Sequence, residues 1–104
     1  MLTKSKLQSL KYECLGMDVE AIRQTLANRL EYSAGKDLYT ATPRDWFTVV
    51  SYTVRDRLIE RWMETMRTYY REDSKRVYYL SLEFLTGRAL INSILNLGVL
   101  KEYR

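Results

Sequence analysis

The chain has 104 residues, the size of one modest domain. Hydrophobic residues make up 46% and charged residues 29%, while 4 glycines and 1 proline exclude low-complexity or linker behaviour. Seventeen basic and thirteen acidic residues leave a net charge of +4 that is spread along the chain, which favours a solvated surface over a nucleic-acid patch.

The chain contains no histidine, and this absence excludes several kinds of site. Ser-His and Cys-His nucleophiles cannot form within it, and the commonest metal ligand is missing. The single cysteine, Cys14, forms neither an internal disulfide nor a zinc site alone, so we predict no metal. Neither a signal peptide nor a membrane span of about 20 apolar residues is evident, which predicts a cytoplasmic protein without a membrane partner.

The first part of the chain predicts an N-terminal arm followed by a helix. Residues 1–17 have no firm period and are interpreted as a variable arm. A helix is predicted over residues 18–33, because apolar residues recur there at spacings of three and four: Val19, Ile22, Leu26 and Leu30. Asp18 is a suitable N-cap. Residues 34–42 are predicted to form a loop.

A long helix is predicted over residues 43–71. Thr42 can cap it, Pro43 suits its first position, and Asp45 lies at the positive end of its dipole. Apolar residues then recur every four positions, so we expect a buried stripe winding along the whole helix: Trp46, Val50, Val54, Leu58, Trp62, Met66 and Tyr70. The charged residues Arg55, Arg57 and Glu64 are assigned mainly to the solvent face.

The last elements are predicted to be a strand and a helix. Residues 76–82, RVYYLSL, are aromatic and apolar on both faces, which is typical of a strand covered on both sides. A loop is predicted over residues 83–87 and a helix over residues 87–97, ending at Gly98. Because one strand cannot form a sheet, either a second copy pairs with it or the chain is part of a larger protein.

Two stretches of the sequence carry a resemblance to a known family: residues 76–98, RVYYLSLEFLTGRALINSILNLG, and before them residues 41–62, ATPRDWFTVVSYTVRDRLIERW. They resemble, in the same order, the strand-loop-helix signature and the preceding long helix in the N-terminal part of the α-glucan phosphorylases, the glycogen, starch and maltodextrin phosphorylases. The resemblance implies a mostly α-helical start of a large two-lobed α/β glycosyltransferase fold. Leucine at position 85 favours the bacterial type.

The resemblance also implies an activity for the whole enzyme. Such enzymes cleave α-1,4-glucan, such as glycogen or maltodextrin, with inorganic phosphate to give α-D-glucose 1-phosphate, using pyridoxal phosphate, and act as homodimers. The family's cofactor lysine lies far downstream. The 104-residue chain alone is therefore expected to be inactive and to bind no cofactor.

By resemblance, two groups of residues have functional positions. The loop after the predicted strand reaches the catalytic cleft, so Glu83, Leu85 and Gly87 are expected to line it, with Leu85 near the cofactor edge. Glu83 is not expected to be the proton donor. Asp37, Trp62 and Tyr70 match positions of an AMP site at the dimer interface of animal members.

Two other interpretations stay open from the sequence. A non-enzymatic helical module, a truncated paralogue, would dimerise through the apolar stripe of residues 46–70, since an exposed stripe requires a partner. A nucleic-acid-binding helical protein is disfavoured, because the basic residues do not form a clustered stripe.

Overall fold

The computed structural model describes residues 15–83 and 87–104. Its elements are three α-helices: α1 at Val19–Tyr32, α2 at Pro43–Glu72 and α3 at Ala89–Leu97. The prediction of a mostly helical chain is confirmed. The predicted helix bounds of 18–33, 43–71 and 87–97 differ from the observed ones by two residues at most. Most of the predicted arm, residues 1–14, lies outside the described residues.

The start of α2 is fixed by a reciprocal cap. The Thr42 hydroxyl accepts a hydrogen bond from the Asp45 N–H at 3.3 Å, and the Asp45 carboxylate accepts from the Thr42 N–H at 2.9 Å. The Thr42 backbone bond, followed by its hydroxyl bond, holds the pKa of the Asp45 carboxyl below its ordinary value of 3.8. These contacts satisfy backbone donors that the first helical turn leaves unpaired.

The apolar core lies where the three helices meet. Five buried side chains form it: Ile22, Val54, Ile94, Leu97 and Val99. They come from all three helices and from the turn after α3, so the core depends on contacts distant in sequence. No helix in the described ranges is long and apolar enough to cross a membrane.

Only the first half of α2 is buried. Its buried residues lie between Val49 and Arg57. Further along the helix, Trp62 is 59% exposed and Tyr70 is 77% exposed. The prediction of a buried stripe along all of α2 is therefore wrong for its second half, because the core made with α1 and α3 lies beside its first half.

The segment after α2 does not form the predicted strand. α2 ends at Glu72, and its C-cap, Asp73, has a φ of 45°, which lies in the left-handed region. The following residues 74–81 have no regular structure. Val77 is 94% exposed and Leu80 is 95% exposed. The prediction of a strand over 76–82 is wrong for this chain. A strand is stabilised by hydrogen bonds to a neighbouring strand, and the described residues contain no second strand that could form them.

Candidate functional site

Glu83 lies at the end of the exposed segment that follows α2. The Arg76 guanidinium is 4.9 Å from the centre of the Tyr70 ring, which holds the start of this segment against α2. At its far end, the Glu83 N–H donates to the Ser81 hydroxyl oxygen at 3.2 Å, and that hydroxyl donates to the Glu83 carbonyl at 2.8 Å. This tight local turn fixes the Glu83 backbone while its side chain is exposed.

Of the other two predicted cleft residues, Gly87 and Leu85, the structure describes only Gly87. Gly87 is exposed, and a Cβ added there would meet nothing within 4 Å, so nothing in the described structure requires a glycine at this position. Leu85 lies outside the described residues. Gly87 lines a shallow groove of about 600 Å³ with Phe47 and the start of α3. Arg88 supplies the positively charged side chain among the residues that line this groove.

The predicted effector residues are not brought together by direct contacts. The Asp37 carboxylate accepts hydrogen bonds within its own turn, from the Thr40 N–H and hydroxyl at 2.7 Å and from the Tyr39 N–H at 3.0 Å. The Thr40 hydroxyl, then its backbone N–H, lower the pKa of the Asp37 carboxyl below 3.8. Trp62 and Tyr70 lie on α2, about 12 Å apart along the axis at 1.5 Å per residue.

A buried polar junction at the middle of α2 was missed by the sequence interpretation. Arg57 is fully buried, and its guanidinium donates to the Gly16 carbonyl at 2.8 and 3.2 Å and to the Thr53 carbonyl at 3.1 Å. The Tyr103 hydroxyl is 2.8 Å from the Thr53 hydroxyl and 3.5 Å from the guanidinium. Position 57 follows the buried positions 53 and 54 by four and three residues, a spacing that could have placed it on the buried face.

This junction joins the chain before α1, the middle of α2 and the turn after α3. A Cβ at Gly16 would lie 2.5 Å from the Ala21 Cβ, so a side chain there would force the backbone to move away from α1. Nearby, Arg61 donates to the Leu97 carbonyl at 3.2 Å, which ties the end of α3 to α2. These contacts hold the helix that precedes Glu83 in place.

The comparisons with known proteins identify the relatives of this chain. No protein-family profile matches it. Over 82 residues it is 48% identical to the brain form of glycogen phosphorylase from Homo sapiens and from Rattus norvegicus. It is 44% identical over 82 residues to the muscle form from Ovis aries. This chain is related to the N-terminal region of the glycogen phosphorylases.

The alignment with the glycogen phosphorylases covers 79% of this chain and 10% of each of these relatives. The chain therefore spans about a tenth of the length of the curated relatives that it matches. The resemblance seen in the sequence is confirmed at the level of the family. The relation does not depend on the strand prediction, because it rests on sequence identity.

Proposed function

We propose that this chain forms part of an α-1,4-glucan phosphorylase of the bacterial type, within a large two-lobed α/β fold. The whole enzyme cleaves glycogen or maltodextrin with inorganic phosphate to give α-D-glucose 1-phosphate and is a cytoplasmic homodimer. The supporting observation is 48% identity over 79% of the chain to glycogen phosphorylases. In this proposal the loop of residues 83–87 lines the catalytic cleft, with Glu83 beside the sugar and phosphate.

Large apolar side chains on the surface support the proposal that this chain is one part of a larger catalytic unit. Val77, Tyr79 and Leu82 are 89% exposed or more, an arrangement that leaves large apolar side chains in water. The second half of α2 exposes Trp62 and Tyr70 as well. Further polypeptide that covers these surfaces would gain hydrophobic stabilisation and supply strands beside residues 76–82.

Pyridoxal phosphate is proposed for the whole enzyme and not for this chain alone. An amine must hold the aldehyde of this cofactor, and several donors must hold its phosphate. The groove beside Gly87 has no lysine among its lining residues, and neither has a second groove, which lies between α1 and the middle of α2. We therefore propose that the residues that hold the cofactor lie in other parts of the whole enzyme, and we expect the 104-residue chain alone to be inactive.

A chimera tests the proposed function. The 82 matching residues of the human brain form are replaced by those of this chain. We expect glucose 1-phosphate to be released from glycogen and phosphate with at least about a tenth of the parent kcat/KM, a loss of ~1.4 kcal/mol or less. The human enzyme lacking the 82 residues is the control and should be inactive. A folded but inactive chimera would contradict the proposal.

A helical dimerisation module is the second candidate, because α2 exposes Trp62, Met63, Tyr69 and Tyr70. In that case the isolated chain would be a stable dimer in light scattering. A Trp62→Arg variant would return it to monomers, since it places a charge in the apolar contact. That pair of results, together with an inactive chimera, would favour the module over the enzyme.

We predict that AMP regulates the enzyme only weakly through the proposed effector positions, Asp37, Trp62 and Tyr70. Where animal members have arginine and glutamine, this chain has Glu64 and Arg67. Because the exposed Glu64 carboxylate would repel a phosphate, we expect AMP to change the activity of the chimera less than about twofold. Glu64→Arg should increase the response, and Glu31→Arg, on the exposed surface of α1, should not. Tenfold activation of the unmodified chimera would refute the prediction.

A further inference from the structure

The short helix α3 follows the proposed cleft loop, residues 83–87, and holds its downstream end. Residues 84–88 separate Glu83 from Ala89, the first residue of α3. The helix has nine residues, a length at which an isolated helix is unstable in water, and its N-cap, Arg88, makes no side-chain capping bond. The position of α3, and with it the downstream end of the loop, therefore depends on contacts with the rest of the fold.

Arg61 of α2 completes the C-terminal end of α3. The last turn of α3 contains no basic residue of its own, and the turn at Gly98 satisfies the carbonyls of Ile94 and Leu95. The carbonyl of Leu97 instead accepts a hydrogen bond from the Arg61 guanidinium at 3.2 Å. Because a helix has its negative pole at this end, the bond combines a donor with a favourable charge.

The apolar contacts of α3 specify its position along α2 less sharply than this bond does. Ile94 and Leu97 are buried in the core, and Leu90 packs against it. Burial of apolar surface is non-directional, so it holds the two helices together without selecting one axial offset. A hydrogen bond weakens steeply as its geometry changes. The bond from Arg61 to Leu97 therefore selects the axial position of α3.

We propose that Arg61 is a positioning residue for the reaction: through α3 it sets where the loop of residues 83–87 holds Glu83. A shift of α3 at Leu97 is passed to Ala89, about 12 Å away at 1.5 Å per residue, because the helix moves as one piece. A misplacement of about 1 Å at reacting groups can slow a reaction about 100-fold. This inference rests on the proposed function and on the proposed position of Glu83.

Hydrogen exchange of the 104-residue chain tests whether Arg61 holds α3. In the Arg61→Met variant, the amides of Ala89–Leu97 should exchange about fivefold faster, because the Leu97 carbonyl loses its donor and α3 opens more often. The amides of Val19–Tyr32 in α1 should change less than about twofold. The matched control, Arg55→Met at an exposed position of α2, should leave the exchange of α3 unchanged.

The chimera with the human brain form tests whether this hold matters for the reaction. Arg61→Met should lower kcat/KM about tenfold, Arg61→Lys, which keeps a charged donor, about threefold at most, and Arg55→Met less than about twofold. In the Glu83→Gln background, Arg61→Met should lower kcat/KM by less than about twofold more, because the effects of residues that act through one another do not add. A loss of stability alone would have the same effect in both backgrounds.

Three outcomes would overturn the inference. One is exchange of α3 that is no faster in Arg61→Met than in Arg55→Met. Another is equal acceleration in α1 and α3, which would make Arg61 a general stabiliser of the fold. The third is the same fold-loss of kcat/KM from Arg61→Met with and without the Glu83 carboxylate. An inactive parent chimera contradicts the proposed function itself, and the two failures are distinguishable because the exchange measurements do not depend on activity.

Discussion

Replacing Arg57 with alanine is expected to reduce the free energy of unfolding by about 3 kcal/mol. The side chain is fully buried and donates to the Gly16 and Thr53 carbonyls. Its removal leaves buried acceptors without a donor and opens a cavity at the centre of α2. Urea unfolding followed by circular dichroism at 222 nm measures the change.

Three further variants separate the causes of this effect. Arg55→Ala, at an exposed position of the same helix, should change the free energy of unfolding by no more than about 0.5 kcal/mol. Arg57→Met retains most of the volume and should recover part of the loss if the cavity dominates. Arg57→Lys retains the charge but loses the planar set of donors. Equal stabilities of Arg57→Ala and Arg55→Ala would show that the junction does not stabilise the fold.

Replacing Glu83 with glutamine in the chimera is expected to lower kcat/KM about 100-fold. The substitution keeps the size of the side chain and removes its negative charge. If Glu83 lies beside the sugar and phosphate, as we propose, the loss of charge alters the electrostatics where the glycosidic bond is cleaved. The turn with Ser81 should be unaffected, because it uses only the Glu83 backbone.

The matched control for Glu83 is Glu72→Gln. Glu72 is the last residue of α2, is exposed, and pairs with the neighbouring Arg71 at 3.0 Å. Its replacement should leave kcat/KM within about twofold, since an exposed ion pair contributes little. Steady-state rates over a range of glycogen and phosphate concentrations separate kcat from KM. A Glu83→Gln variant as active as the Glu72→Gln variant would contradict the proposed position of Glu83 in the catalytic cleft.

The sequence by itself determined the local structure. The start of α2 is encoded by Thr42, Pro43 and Asp45, whose contacts span only three residues. The end of α3 is encoded by Gly98, whose φ of 77° suits glycine. Because such signals depend on neighbours in the chain, pattern alone located the three helices. The relation to glycogen phosphorylases was likewise visible in the order of residues.

Only the tertiary structure decided which of these residues are buried. Arg57 was assigned to the solvent face, but it is buried because its acceptors come from residue 16, which is 41 positions away, and from its own helix. Residues 76–82 have strand-like composition and yet form no strand, since composition cannot supply the neighbouring strand that a ladder requires. Burial and pairing depend on partners distant in sequence or beyond this chain, and periodicity records only the local preference.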